Sequence, residues 1–101
     1  LLADASEREE KSHGIYKEIV ALSNNVENET ALHSALLFYR GKALYYLEEY
    51  DDAIATLEVA QLQAPRSIAM FYYLGLSYEA AGRDDQAEHA FIRVHELRQT
   101  P

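Results

Sequence analysis

Cysteine is absent from this 101-residue chain, prolines number two and glycines four. Without cysteine there is neither a disulfide framework nor a thiolate metal site. That fits a cytoplasmic protein and is also compatible with a periplasmic one. Gly14, Gly41, Gly75 and Gly82 stand far apart, so no glycine-rich loop cradles a phosphate. No apolar run approaches the ~18 residues of a membrane span, which argues against direct membrane insertion, and no signal peptide is visible. Basic residues are scarce: nine Lys and Arg against 17 Asp and Glu leave a formal net charge of −8. With no Lys/Arg cluster to displace counterions, nucleic acid is excluded as a partner, and anionic membranes are disfavoured on the same ground. Among proteins, a neutral or basic partner suits this charge, which equally serves to keep a sticky helical surface soluble. The chain opens Leu1-Leu2 rather than with Met and so reads as a fragment or a processed product.

What is present is helical. Hydrophobic residues make up 49% of the chain, too many for a disordered tail, and strand patterns are missing. Residues 1–13 favour helix by composition but offer few apolar positions; Gly14 is expected to break this segment. Ile15, Ile19, Leu22 and Val26 then recur on one face of an amphipathic helix, ending near Ser23-Asn24-Asn25. Asn28 or Thr30 is the expected cap of the next helix, with Leu32, Leu36, Ala43 and Leu47 along one side. Asp51 or Asp52 suits the following helix N-terminus. That helix carries Ile54, Leu57 and Leu62 and stops before Pro65. Helix resumes by Ile68 and ends at Gly82, a left-handed cap. Asp84 or Asp85 should cap the last helix, Asp85 with Glu88 forming an acidic capping box. The result is five or six antiparallel helices.

Within this pattern one stretch is written twice. Gly75 follows Gly41 by 34 positions, and Ala53/Ala87, Leu57/Phe91 and Ala60/Val94 keep the same interval. A fixed period in the thirties marks a stacked repeat rather than a single-core fold. In each copy a glycine of the first helix precedes an alanine of the second, predicting that small residues face one another where the two helices cross. Leu37, Leu44 and Leu57 in one copy, and Phe71, Tyr78 and Phe91 in the other, are then expected to fill the space around that contact. One pair cannot bury both of its apolar faces, so a neighbouring pair must cover the other.

Phe71, Leu74-Gly75, Tyr78, Ala87 and Phe91 follow the pattern aromatic, L-G-x-x-Y, A-x-x-x-F, and the segment thus resembles the tetratricopeptide repeat, departing at Gln99 where Pro is expected. The earlier copy keeps Gly41, Ala53 and Pro65, replaces conserved-type positions with Leu37, Leu44 and Leu57, and departs at Arg40. The resemblance covers about two thirds of the chain. It implies an all-α fold, an α-solenoid of antiparallel helix pairs (a TPR-like superhelix). The divisions are 1–33 as a degenerate first repeat and 34–67 and 68–101 as repeats. Carried back by 34, the register sets Tyr16 under Tyr50 and Ile19 under Ala53, but Glu7 under Gly41 and Glu10 under Leu44, which no repeat core tolerates. Repeat arrays need about three units, so two and a half imply a missing neighbour, either flanking sequence or a second copy of the chain.

Chemistry-bearing constellations are few. No serine sits in a nucleophile elbow, and no catalytic residue or cofactor is indicated. Glu10 with His13 and Asp85 with His89 have helical ligand spacings, but a metal site needs three or four converging ligands, so solvated faces are the reading adopted; His33 and His95 are read as surface or interface residues. The residues assigned to repeat packing are Gly41, Ala53, Leu57, Ala60, Gly75, Tyr78, Ala87 and Phe91. Eight tyrosines are the more informative feature. On a helical wheel Phe38, Lys42, Tyr45 and Tyr46 lie opposite the core stripe of the first good repeat. Tyr72, Leu76 and Glu79, with Tyr73 beside them, hold the equivalent face of the next. The family resemblance implies that this face lines a concave groove for a partner peptide or helix, with packing between adjacent first helices as the alternative. Lys42 alone is too little for a carboxylate clamp, so an apolar or mixed segment is the expected ligand. The expected role is a non-enzymatic scaffold for protein–protein interaction, with homo-oligomerisation through the ends of the array as the second reading.

Overall fold

A computed structural model describes residues 13–20 and 30–99. Residues 13–20 are helical (α1), and four helices follow: α2 (Thr30–Tyr46), α3 (Tyr50–Gln63), α4 (Ile68–Ala80) and α5 (Asp84–Gln99). No strand occurs among the described residues. The helix α2 packs on α3 and α4 on α5, while α3 also packs on α4 and α2 touches it. Connections this short make consecutive helices antiparallel, and the whole is an all-α helical repeat.

The turns show how the period is enforced. At the end of α4, Gly82 has φ 80°. The Gly82 N–H bonds the Glu79 carbonyl, and the Arg83 N–H reaches back to the Tyr78 carbonyl at 2.8 Å. These two bonds define a Schellman motif. The end of α2 repeats it with Glu48 at φ 64°: the Glu48 N–H bonds Tyr45 O and the Glu49 N–H bonds Leu44 O. Arg83 then bridges the two turns, its Nη2 lying 3.2 Å from Asp51 Oδ1. Ser67 caps α4, its Oγ accepting from the Met70 N–H, and α3 ends at Gln63 ahead of Pro65.

Several local expectations give way. Gly14 is itself helical, within residues 13–20, while the segment it was expected to end lies outside the described residues. Ile15 is 56% exposed. Asp51 and Asp52 occupy the first turn of α3, where they suit the macrodipole. The cap position itself is Glu49, whose side chain makes no capping bond. Likewise Asp84 and Asp85 lie within α5, whose first backbone bond is accepted by Arg83, so Asp85 is not placed for a capping box. Leu62, expected in the core, is 76% exposed, because it stands at the rim of an open groove that it lines with Phe71 and Tyr78 of α4 and that no described helix fills. Thr30 is already helical. The expectations for Leu1–Ser12, Leu22–Val26 and Asn28 lie outside the described residues.

The core is continuous across both repeats. Ile54, Leu57, Leu74, Tyr78, Ala87 and Ala90 are buried together, with Phe38, Phe71, Tyr73 and Phe91 packed around them. Ala53, Leu57 and Ala60 are fully enclosed; burying Leu57 contributes about 1.5–3 kcal/mol. What stands nearest to Gly41 is not a small residue but Leu57: a methyl at Gly41 would lie 2.5 Å from its Cγ. A methyl at Gly75 would meet Phe91 Cε1 at 2.6 Å. Each glycine is a hole for the large knob of the second helix, and the alanines Ala53 and Ala87 lie buried one turn before that knob on the same face.

Candidate functional site

The tyrosine-rich residues form one connected cluster, organised by Tyr73. Its ring lies 5.9 Å from that of Phe38, 6.0 Å from Tyr45, 6.1 Å from Tyr46 and 5.5 Å from Tyr72, all edge to face. Such pairs are favoured by the ring quadrupole. Tyr73 Oη and Tyr46 Oη share a hydrogen bond of 3.0 Å, and Lys42 Nζ sits 5.3 Å from the centre of the Tyr73 ring, within cation–π range. Tyr73 therefore ties α2 to α4. Its neighbours divide by exposure: Phe38, Lys42, Tyr45 and Leu76 are half-buried, whereas Tyr46 (37%), Tyr72 (45%) and Glu79 are exposed.

Further rings join from outside the expected set, among them Tyr39, 5.4 Å from Phe38. Tyr16 of α1 stacks on Tyr46 with centroids 5.1 Å apart and planes at 13°. Tyr50, opening α3, lies 5.8 Å from Tyr45. The repeat register placed Tyr16 and Tyr50 at equivalent positions, but nothing in the sequence indicated that either turns toward the first helices. Crowding alters the phenols. Burial, followed by the neighbouring Tyr50 and Tyr46, holds Tyr45 above the usual tyrosine range; for Tyr46 the bond with Tyr73 is the first cause and burial the second. These groups are neutral donors and acceptors at physiological pH. The surface offers stacking area and hydroxyls, with one cation at Lys42 and one carboxylate at Glu79.

The residues assigned to repeat packing are all buried except the half-buried Phe91. Tyr78 is the exception in chemistry: its hydroxyl donates to Glu58 Oε2 at 2.6 Å, linking α4 to α3. Asp85 and His89 are both exposed on α5, His33 is half-buried, and His95 bonds Gln99 at 3.0 Å. Among the described residues no three His, Asp or Glu side chains converge as metal ligands, and no helix is long and apolar enough to cross a membrane.

A family model described as "Tetratricopeptide repeat" matches residues 35–67 and 69–97, more than half of the chain. No curated protein and no solved structure matches significantly. The two matched segments coincide with the helix pairs α2/α3 and α4/α5, and with the glycine-and-knob packing that sets their spacing. The chain belongs to the tetratricopeptide repeat family.

Proposed function

We propose that this chain is a non-enzymatic interaction scaffold that holds a segment of a partner protein against the tyrosine cluster of its first helices. Tetratricopeptide repeats mark a protein–protein interaction module; the finer reading concerns which surface and what ligand. The observation that carries it is the division of labour around Tyr73. One ring is consumed in joining α2 to α4, and this leaves Tyr46, Tyr72 and the half-buried Tyr45 as a pre-positioned rim. Tyr gives large contact area at low rotamer cost, and rings already fixed by neighbours lose little more on binding. Lys42 at one side and Glu79 at the other favour an apolar or mixed segment over a strongly charged one. In this reading the binding set is Phe38, Lys42, Tyr45, Tyr46, Tyr72, Leu76 and Glu79, and Tyr73 is its support.

Peptides selected from a random display library against the whole chain provide the test. They are expected to perturb the amide resonances of Tyr45, Tyr46, Tyr72 and Leu76, and to bind at least tenfold more weakly when Tyr46→Ala and Tyr72→Ala are combined. Selected peptides that map to other surfaces, or bind the double variant equally, would overturn the assignment.

A further inference from the structure

The 34-residue period relates two surfaces that the fold treats differently. Helix α4 rests on Tyr45, Ile54, Leu57 and Glu58: Leu74 and Tyr78 share the core with Ile54 and Leu57, Tyr73 meets Tyr45, and Tyr78 bonds Glu58. Advanced by 34, these four positions become Glu79, Glu88, Phe91 and Ile92. Those residues line one open depression of about 530 Å³ on the α4/α5 pair, together with Asp84 and His95. It is the seat of α4 reproduced one repeat on, and here it faces solvent: Phe91 is only half-buried and Ile92 is 47% exposed, where Leu57 is fully enclosed.

The chemistry of the second seat has changed in a way that specifies its occupant. Ile54 is replaced by Glu88 and Tyr45 by Glu79, while Glu58 is replaced by Ile92. The apolar centre remains, as Phe91 and Ile92, but its flanks are now Glu79, Asp84 and Glu88. We infer that this face docks an amphipathic helix of a partner protein, its apolar ridge seated on Phe91 and Ile92 and its Lys or Arg residues directed at Glu79, Asp84 and Glu88. A second copy of the chain is the poorer occupant, since two molecules of net charge −8 would bring like charges together around an acidic seat. The seat adjoins the tyrosine cluster through Tyr72, whose ring centre is 6.3 Å from that of Phe91, and shares Glu79 with it, but it stands without the reading given to that cluster.

Two stapled helical peptides test this, both carrying Met70, Phe71, Leu74 and Tyr78 of α4 at native spacing. One bears lysines at the remaining positions and the other glutamates. With the full chain, the lysine peptide is expected to perturb the amides of Glu88, Phe91, Ile92 and His95 and to bind several-fold tighter than the glutamate peptide. Combining Glu79→Lys with Glu88→Lys, both exposed and therefore compatible with folding, should reverse that preference. The inference is overturned if neither peptide perturbs these residues, if the two bind equally, or if the preference survives the reversal. It is also overturned if sedimentation reveals a dimer that Ile92→Asp abolishes, making a second copy the occupant, or if a longer form of the chain binds neither peptide until a helix following this segment is removed, making the chain's own continuation the occupant. Perturbations confined to Tyr45, Tyr46 and Tyr72 would overturn this seat while leaving the tyrosine surface supported.

Discussion

Leu57 of α3 fits against Gly41 of α2 so closely that one added methyl would stand 2.5 Å from its Cγ and Cδ2. Leu57 is fully enclosed and cannot give way, while Phe91, against Gly75, is half-buried and can swing outward. Gly41→Ala gains helix propensity of about 1 kcal/mol but suffers overpacking of about 1–3 kcal/mol. The expected outcome is a net loss of stability in urea denaturation, larger for Gly41→Ala than for Gly75→Ala. Adding Leu57→Ala to Gly41→Ala should cost less than the two changes summed, because the new methyl occupies part of the cavity. A stabilised Gly41→Ala would refute the knob-and-hole assignment.

Glu48 and Gly82 occupy the same point of successive repeats and share a left-handed backbone, at φ 64° and 80°. An L side chain is strained there, whereas glycine is not. Glu48→Gly is expected to stabilise the chain by about 0.5–1 kcal/mol, and Gly82→Ala to destabilise it by about 1 kcal/mol. Opposite signs in thermal melts are the check; the same sign at both would contradict equivalent caps.

Arg40 takes the position that Leu74 holds one repeat later, and its buried Nε has no hydrogen-bond partner among the described residues. An unsatisfied buried donor costs about 1–3 kcal/mol. Arg40→Leu should therefore raise stability by about 1 kcal/mol, read as a higher urea midpoint with unchanged slope.

Tyr78 sets a limit at alkaline pH. Burial, and then its bond to Glu58, pushes the phenol well above the usual tyrosine range. The folded state thus keeps this proton at pH values where the unfolded chain, with a tyrosine pKa of about 10, has released it. The stability it contributes is present below about pH 10 and is lost as pH rises beyond it. Wild type should lose more stability than Tyr78→Phe between about pH 9 and about pH 11. Equal losses would show that Tyr78 does not couple to folding.

Much of the architecture was legible because a repeat writes its packing twice. The interval between Gly41 and Gly75, with the matching Ala53/Ala87 and Leu57/Phe91, identified helix pairs and their stacking before any coordinate. Gly82 announced its cap because only glycine adopts that backbone freely; Glu48, with the same backbone, announced nothing. Asp51, Asp52, Asp84 and Asp85 pointed to the right helix ends but lie inside the first turns, since charge near a helix N-terminus is favourable at several positions. Leu62 read as core because periodicity reports which residues share a face, not whether another helix arrives to cover it.

The amino-acid pattern alone thus determined the helices, the period and the family, all of which depend on local propensity and on spacing along the chain. Only the tertiary structure decided that the glycines receive Leu57 and Phe91, that Tyr73 is spent joining α2 to α4, and that Tyr16 stacks on Tyr46. It alone revealed that the seat of α4 recurs in acidic form at Glu79, Glu88, Phe91 and Ile92. Each of these depends on distances between side chains remote in sequence, which are set by how one helix crosses the next.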